Sequence, residues 1–133
     1  RWHSGGRPLS GVSRMKQLLF IVSRPPYAGV GVFEQIETAM VAAVFDAQVS
    51  ILFRNLGVWN LAPDQSGQRL HRRTMSKILS GLGEYDIERL YVCQDALDNS
   101  GLVLSDELPL EALDAQGQAR LIQDCDSVIG FQS

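Results

Sequence analysis

One stretch decides the fold, residues 18–61: LLFIVSRPPYAGVGVFEQIETAMVAAVFDAQVSILFRNLGVWNL. It begins with an apolar run at 18–22, continues through a loop and a long helical segment, and reaches a second apolar run at 49–53. This order is typical of a parallel βαβ unit, because parallel strands need a crossover and the crossover helix covers one face of the sheet. The stretch therefore predicts an α/β fold.

The rest of the chain continues the alternation of strand and helix. Apolar runs bounded by turn residues predict three further strands, at 88–93, 107–112 and 127–131. Helical spacing predicts a first helix at 31–46 and further helices at 69–79, 94–99 and 114–124. Gly81 and Gly101 are expected to end the second and third of these helices, and Asp114 is expected to cap the fourth. We therefore expect a three-layer α/β/α sandwich with a mostly parallel five-stranded sheet, flavodoxin-like in its general architecture.

Residues 1–14 differ in character from the sequence that follows them. They contain glycines, serines and a proline without regular periodicity, and Met15 follows as the natural start of a single domain at 15–133. They lack the uninterrupted apolar stretch of roughly 7 to 15 residues that a secretory signal needs. We expect a tag, an upstream segment or a disordered tail, to be set aside when the fold is considered.

Charge and cysteine content argue against several classes of protein. The formal net charge is −3, and residues 1–14 hold three arginines and no acid, so the domain itself is more acidic still. A general nucleic-acid binder needs a basic field, and a membrane span needs roughly 20 apolar residues. Cys93 and Cys125 form neither a CxxC pair nor a zinc-ligand set. A reducing cytoplasm fits this composition best.

The first helix is apolar on every side in its second half, at residues 39–45. Such a helix is covered on more than one side, which in a small domain indicates a partner chain. The alternative is that small alanines let the helix lie close to the sheet. Beyond the second strand, apolar residues follow Gly57 in a predicted loop and also need cover. The predicted interface residues are Phe33, Met40, Val41, Val44, Val58, Trp59 and Leu61.

A glycine motif before the first helix fails as a nucleotide-binding signature. Gly29 and Gly31 begin the pattern GxGxxG, but Glu34 occupies the third glycine position, where its carboxylate would repel a pyrophosphate. The sequence contains no Walker motif, and no set of metal ligands stands out. We expect no cofactor and no metal.

Basic residues collect on the predicted second helix. Arg69, Arg73 and Lys77 follow one another at intervals of four residues, with His71 between them. This face is either a docking patch for a phosphate or an acidic partner, or a solvated helix face. His71 has no evident catalytic or metal-binding partner, so we expect it at the surface.

Cys93 has the strongest chemical argument of any residue in the chain. It ends a predicted parallel strand, and ligands of open α/β sheets bind beyond the carboxyl ends of strands. If Gln94 opens a helix, the N–H groups there would stabilise a thiolate and make the sulfur nucleophilic. The alternative is a small, buried, structural cysteine. Cys125 is the poorer candidate, because Asp124 and Asp126 flank it and disfavour a thiolate.

Together these residues resemble the DsrE/DsrF/DsrH superfamily of sulfur-relay proteins, and within it the TusC/DsrF branch. The resemblance is carried by Arg24-Pro25-Pro26-Tyr27, Glu34, Phe45-Asp46, Leu52-Phe53, Gly57 to Leu61, Gln65, Leu82, Tyr85-Asp86-Ile87, Tyr91-Val92, Gly101-Leu102 and Asp126 to Phe131. It implies a cytoplasmic heterohexamer with TusB/TusD-like (DsrH/DsrE-like) sister subunits. A small sulfur-carrier protein would supply persulfide sulfur, which passes toward 2-thiolation of tRNA wobble uridine without direct tRNA binding or a membrane.

The resemblance also bears on the role of Cys93. The superfamily's principal relay cysteine belongs to the TusD/DsrE-type subunit, and Cys93 occupies the equivalent strand end. The resemblance thus implies a noncatalytic or auxiliary subunit in which Cys93 is a candidate persulfide carrier. Three alternatives stay open: a DsrF-type subunit in sulfur oxidation, a stand-alone thiol sulfurtransferase using Cys93, and a regulatory or nucleotide-binding flavodoxin-like module, which the missing phosphate loop disfavours.

Overall fold

The computed structural model describes residues 16–25, 31–45, 47–61, 77–87, 89–104 and 109–130. The strands are β1 (Gln17–Val22), β2 (Gln48–Phe53), β3 (Arg89–Cys93), β4 (Leu110–Leu113) and β5 (Ser127–Gly130). The helices are α1 (Gly31–Val44), α2 (Gln94–Ser100) and α3 (Ala115–Asp124), with two 3₁₀ helices at Asn55–Leu61 and Leu82–Tyr85. Within the described ranges, no helix is both long and apolar enough to cross a membrane.

Several predicted features lie outside the described residues. They are the tail at 1–14, most of the predicted second helix with Arg69, Arg73 and His71, and the outer ends of the predicted strands at 107–112 and 127–131. Residues 77–80 are helical, in agreement with the last turn predicted before Gly81. The basic helix face thus stays a prediction.

All five described strands are parallel, in the order β4-β3-β2-β1-β5. The first three connections each move one strand along the sheet, and the fourth returns across it to pair β5 with β1. Because parallel crossovers are right-handed in nearly all proteins, this change of direction moves α3 to the face opposite α1. The predicted α/β class and five-stranded sheet are confirmed. The strand order differs from the 2-1-3-4-5 order of flavodoxin itself.

Alternation along β1 divides the core between the two faces of the sheet. Phe20 and Val22 pack in a large cluster on the α1 side. Leu19 and Ile21 face the other way, where Leu121 of α3 packs against them. Each apolar side chain that is fully buried stabilises the folded state by about 1.5 to 3 kcal/mol. Since the α1 side encloses many more of them, it contributes most of the apolar stabilisation of the described fold.

Two helix ends follow the signals that the sequence predicts. The Asp114 side chain accepts a hydrogen bond from the Gly117 backbone N–H at 2.8 Å, which caps the start of α3. Gly101 ends α2 in a left-handed conformation with φ of 74°, and its N–H donates to the Asp98 carbonyl oxygen. The second of these ends fixes the length of α2, the helix that directly follows Cys93.

The segment after β2 is a 3₁₀ helix rather than the open loop expected from the sequence. Val58 and Leu61 are only 1% and 6% exposed, because both pack into the core on the α1 side. Asn60 holds the turn in place by donating from Nδ2 to the Arg24 and Gly57 carbonyl oxygens, both at 2.9 Å. Val58 and Leu61 were expected to be covered by a partner chain, but the core of this chain already covers them.

Candidate functional site

Cys93 is the last residue of β3 and lies directly before α2. Its backbone is extended, with φ of −70° and ψ of 122°, and its side chain makes no hydrogen bond that caps the helix. Cys93 forms no disulfide, and the residue is partly exposed. Gln94 does open a helix, as the sequence predicts, so the sulfur stands at the junction of strand and helix.

A cleft of about 520 Å³ opens over Cys93 at the carboxyl end of the sheet. One wall is the 3₁₀ helix Asn55–Leu61, which follows β2, and the other is α2, which follows β3. Because β2 and β3 are parallel neighbours, the segments that leave their carboxyl ends lie side by side. Cys93 therefore lies at the carboxyl end of the sheet, as expected of a functional residue, and also lines a cleft.

The cleft has an apolar wall and a polar wall. Leu56 and Trp59 provide apolar surface from the 3₁₀ helix, while Asn99 and Ser100 provide an amide and a hydroxyl from α2. Asp95 is the one charged side chain among its described lining residues. In the described ranges, no group of three or more His, Cys, Asp or Glu residues could hold a metal ion. The arrangement supports chemistry at the Cys93 sulfur, enclosed on one side by apolar groups.

Cys125 lies at the opposite end of the sheet from Cys93. The residue after it, Asp126, donates its backbone N–H to the Gln17 carbonyl oxygen at the start of β1. At about 3.3 Å per strand residue, the parallel register separates this level from Cys93 by roughly 20 Å. A disulfide requires Cα atoms within about 7 Å of each other. Sulfur held on Cys93 could therefore be passed only to a thiol of another molecule.

Residues 16–131 match the family model described as the DsrE/DsrF-like family. This chain belongs to the DsrE/DsrF-like family. The fold agrees with this assignment, since the crystal structure of the ychN protein from E. coli superimposes with a TM-score of 0.68. That likeness covers 88% of this chain and 100% of the other, at 18% sequence identity. The family predicted from the sequence is confirmed.

Curated members of the DsrE/DsrF-like family that resemble this chain carry the names TusC and DsrF. A TusC homolog of Pseudomonas aeruginosa is 33% identical over 117 residues, covering 86% of this chain and 98% of that protein. The intracellular sulfur oxidation protein DsrF of Allochromatium vinosum is 25% identical over 132 residues, covering 88% and 97%. TusC of Escherichia coli is 26% identical over 119 residues, covering 88% and 100%. These relatives support the TusC/DsrF branch and a sulfur-relay subunit.

Part of the predicted interface of this DsrE/DsrF-like chain is an exposed apolar surface on α1. Val41 and Val44 are 56% and 61% exposed, and Phe45, just beyond the helix, is 77% exposed. With Met40 and Tyr85, the two valines line a groove of about 680 Å³ between α1 and the 3₁₀ helix Leu82–Tyr85. Contiguous exposed apolar groups of this kind mark interaction surfaces more often than isolated ones.

The other predicted interface residues are covered mainly by other parts of the same chain. Phe33 and Trp59 are half-buried and pack against the core on the α1 side, and Val58 and Leu61 belong to that core. Trp59 also lines the Cys93 cleft. A contact of these residues with a partner chain stays a prediction, and Val41 and Val44 offer it the most accessible surface.

Two buried amide side chains that hold the end of β1 were not predicted from the sequence. Gln35 of α1 donates from Nε2 to the Ile21 carbonyl oxygen at 2.7 Å, and Asn60 donates from Nδ2 to the Arg24 carbonyl oxygen at 2.9 Å. Within the described part of the chain, Gln35 Oε1 and Asn60 Oδ1 have no hydrogen-bond partner. In the sequence, Gln35 is visible only as a polar residue beside Ile36 in a largely apolar helix. Both residues are buried in the structure.

Proposed function

We propose that the chain is a subunit of a cytoplasmic, hetero-oligomeric complex that passes persulfide sulfur toward 2-thiolation of tRNA wobble uridine. The observation that carries this proposal is the 33% identity to a TusC homolog along 98% of that protein. The motif resemblance adds sister subunits of the TusB/TusD type and a small carrier protein that delivers the sulfur. In this arrangement the chain contacts other proteins and does not bind tRNA itself.

Cys93 is the proposed carrier of sulfur within this subunit. Its thiolate attacks the terminal sulfur of a donor persulfide, R–S–SH, on a partner protein. A bond forms between the Cys93 sulfur and that terminal sulfur, the S–S bond of the donor breaks, and the donor leaves as a thiolate. The proton of the persulfide stays on the transferred sulfur, and because one S–S bond forms as another breaks, the exchange involves no net oxidation or reduction. A second acceptor thiol removes the sulfur by the same reaction.

The geometry of the cleft supports this role for Cys93. Cys93 is partly exposed and lines an open cleft, so a donor persulfide can approach it, and Leu56 and Trp59 give the same cleft an apolar wall. A nucleophilic cysteine needs an accessible sulfur, and a cysteine buried in the core is inert. The distance to Cys125 also favours a relay, because sulfur bound at Cys93 meets no second thiol of the described chain.

A second candidate function is that of a DsrF-type subunit in sulfur oxidation. The observation in its favour is the 25% identity to the intracellular sulfur oxidation protein DsrF over 97% of that protein. Both functions use the same chemistry at Cys93 and the same kind of assembly. They differ in the acceptor, which is a tRNA-thiolating enzyme in one case and an enzyme of sulfur oxidation in the other.

Two measurements test the proposal. Native mass spectrometry after co-expression with TusB-type and TusD-type chains is expected to show a heterohexamer with two copies of each chain. In a strain that lacks its own TusC-type subunit, the three chains are expected to restore 2-thiouridine to tRNA. A persistent monomer would contradict the assembly, and assembly without restored 2-thiouridine would favour the DsrF-type function.

A further inference from the structure

The groove between α1 and the 3₁₀ helix Leu82–Tyr85 is acidic at one end and apolar at the other. Glu34 and Glu37 line the end near the start of α1, and Val41 and Val44 line the far end. Intervals of three and four residues place all four side chains on one face of the helix. At 1.5 Å per residue this face extends about 15 Å, which is enough for a short peptide segment.

The carboxylates of this groove have no balancing positive charge among the described residues that line it. The α1 sequence contains neither lysine nor arginine. Glu84 and Asp86, the sequence neighbours of Tyr85 on the opposite wall, are also acidic and exposed, so no positive charge comes from the residues next to Tyr85 either. The helix dipole accounts for Glu34 in the first turn of α1, but it does not account for Glu37 one turn later. A cationic ligand would complement the site.

We propose that this groove binds a segment of a partner protein in which lysine or arginine flanks an apolar side chain. The inference rests on the proposed function, which requires partner chains, and adds the chemistry of the surface that meets this one. The apolar side chain would pack on Met40, Val41 and Val44, while the cation reaches Glu34 and Glu37. Lysine and arginine suit such a place, because their stems pack on apolar surface and their charged ends stay in water.

Charge argues against the other occupants of the groove. A second copy of this chain using the same surface about a twofold axis would bring no positive charge to Glu34 and Glu37, because the described residues that line the groove include no lysine or arginine. Nucleic acids and anionic membrane surfaces carry phosphate, which the same carboxylates repel. A basic and apolar protein segment is the partner that complements both ends of the groove.

The test is an NMR titration of the isotope-labelled full chain with short synthetic helical peptides. One peptide carries two leucines a helical turn apart with flanking lysines, and two matched peptides carry glutamate or serine in place of the lysines. We expect the lysine peptide to bind most tightly and to shift the backbone signals of Glu37, Val44 and Tyr85. Its affinity is expected to fall as salt is added, since exposed ion pairs are screened.

Variants separate the two ends of the groove. Glu34→Gln combined with Glu37→Gln is expected to weaken binding of the lysine peptide about tenfold at low salt and to flatten its salt dependence. Val44→Ser is expected to weaken binding of all three peptides. Glu111→Gln, an exposed acid on β4, serves as the matched control and should leave the affinity unchanged.

Several outcomes would overturn the inference. They are a failure of the lysine peptide to bind, equal binding of the glutamate peptide, shifts centred on the Cys93 cleft, or self-association of the chain that displaces the peptide. The titration uses this chain alone, so its result does not depend on whether a heterohexamer forms. A heterohexamer that forms normally with the Glu34→Lys and Glu37→Lys double variant would also overturn the inference, while leaving the proposed function intact.

Discussion

Gly57 packs against the backbone carbonyl of Val22 with no room for a side chain between them. A Cβ atom on Gly57 would overlap the Val22 oxygen and lie 2.6 Å from its carbonyl carbon. The same oxygen accepts a hydrogen bond from the Arg54 backbone N–H at 3.1 Å. This contact holds the 3₁₀ helix Asn55–Leu61 on the end of β1 and thereby sets one wall of the Cys93 cleft.

Replacement of Gly57 by alanine is expected to destabilise the fold by about 3 kcal/mol, because neither backbone can move without breaking the packing around it. Denaturant unfolding followed by circular dichroism measures the change. Gly83→Ala is the matched control, since no atom lies within 4 Å of the Cβ it would add. Its effect should be below about 1 kcal/mol. Equal effects of the two substitutions would contradict the close packing at Gly57.

Asp126 joins the edge strand β5 to the start of β1. Its side chain accepts the Gln17 backbone N–H at 2.7 Å, and its own N–H donates to the Gln17 carbonyl oxygen at 2.7 Å. Asp126→Ala leaves a buried backbone N–H without its charged acceptor, so we expect a loss of about 2 kcal/mol in the free energy of unfolding. Asp126→Asn, which keeps an acceptor oxygen, should lose less.

Asp124→Ala provides the control for this prediction. Asp124 is an exposed acid at the last position of α3, where a carboxylate is unfavourable to the helix dipole. Its removal should leave stability unchanged or slightly raised. If Asp124→Ala and Asp126→Ala destabilise the chain alike, a general effect of charge rather than the bond to Gln17 is responsible.

Tyr91 makes the stability of the chain sensitive to alkaline pH. Burial raises the pKa of Tyr91 above its usual value near 10, an effect that Arg89 opposes and that Glu111 and Cys125 reinforce. The unfolded chain therefore loses this proton at a lower pH than the folded chain does. The contribution of Tyr91 to stability is complete below about pH 10 and is lost as the pH rises through the folded pKa.

Absorbance titration of tyrosinate and unfolding measured at several alkaline pH values test this expectation. Tyr91→Phe should remove the late-titrating tyrosine and reduce the alkaline fall in stability. Tyr85→Phe removes a hydroxyl at the surface beside α1 and serves as the control. A Tyr91→Phe variant with the parent's alkaline fall in stability would show that other groups cause it.

The main elements were predictable because each has a local signal of its own. The apolar runs at 18–22 and 49–53 correspond to β1 and β2, and Asp114 and Gly101 mark helix ends through side-chain and backbone properties of single residues. The position of Cys93 also followed locally, since polar Gln94 ends the apolar strand. Family and fold were therefore accessible from the sequence.

The Cys93 cleft and the burial of Val58 and Leu61 depend on contacts between residues far apart in the sequence, and no short sequence pattern predicts such contacts. Apolar residues after Gly57 look unprotected in the sequence, because the sequence does not show that Gly57 lets them fold back over the end of β1. The pairing of the 3₁₀ helix with α2 likewise follows from the neighbouring positions of β2 and β3 in the sheet. Only the three-dimensional structure shows that Trp59 and Cys93 border the same space.

The sulfur-carrying role predicts different behaviour for the two cysteines. When the full chain is exposed to a donor persulfide protein, its mass should increase by one sulfur atom, and alkylation followed by peptide mapping should place that atom on Cys93. Cys93→Ser is expected to lose this uptake almost entirely, because a hydroxyl at the cleft cannot form the persulfide bond. Cys125→Ser is the matched control and should retain it, since Cys125 lies outside the cleft. Uptake that survives in Cys93→Ser, or sulfur mapped to Cys125 in the parent chain, would remove Cys93 from the relay and leave the chain a structural role in the complex.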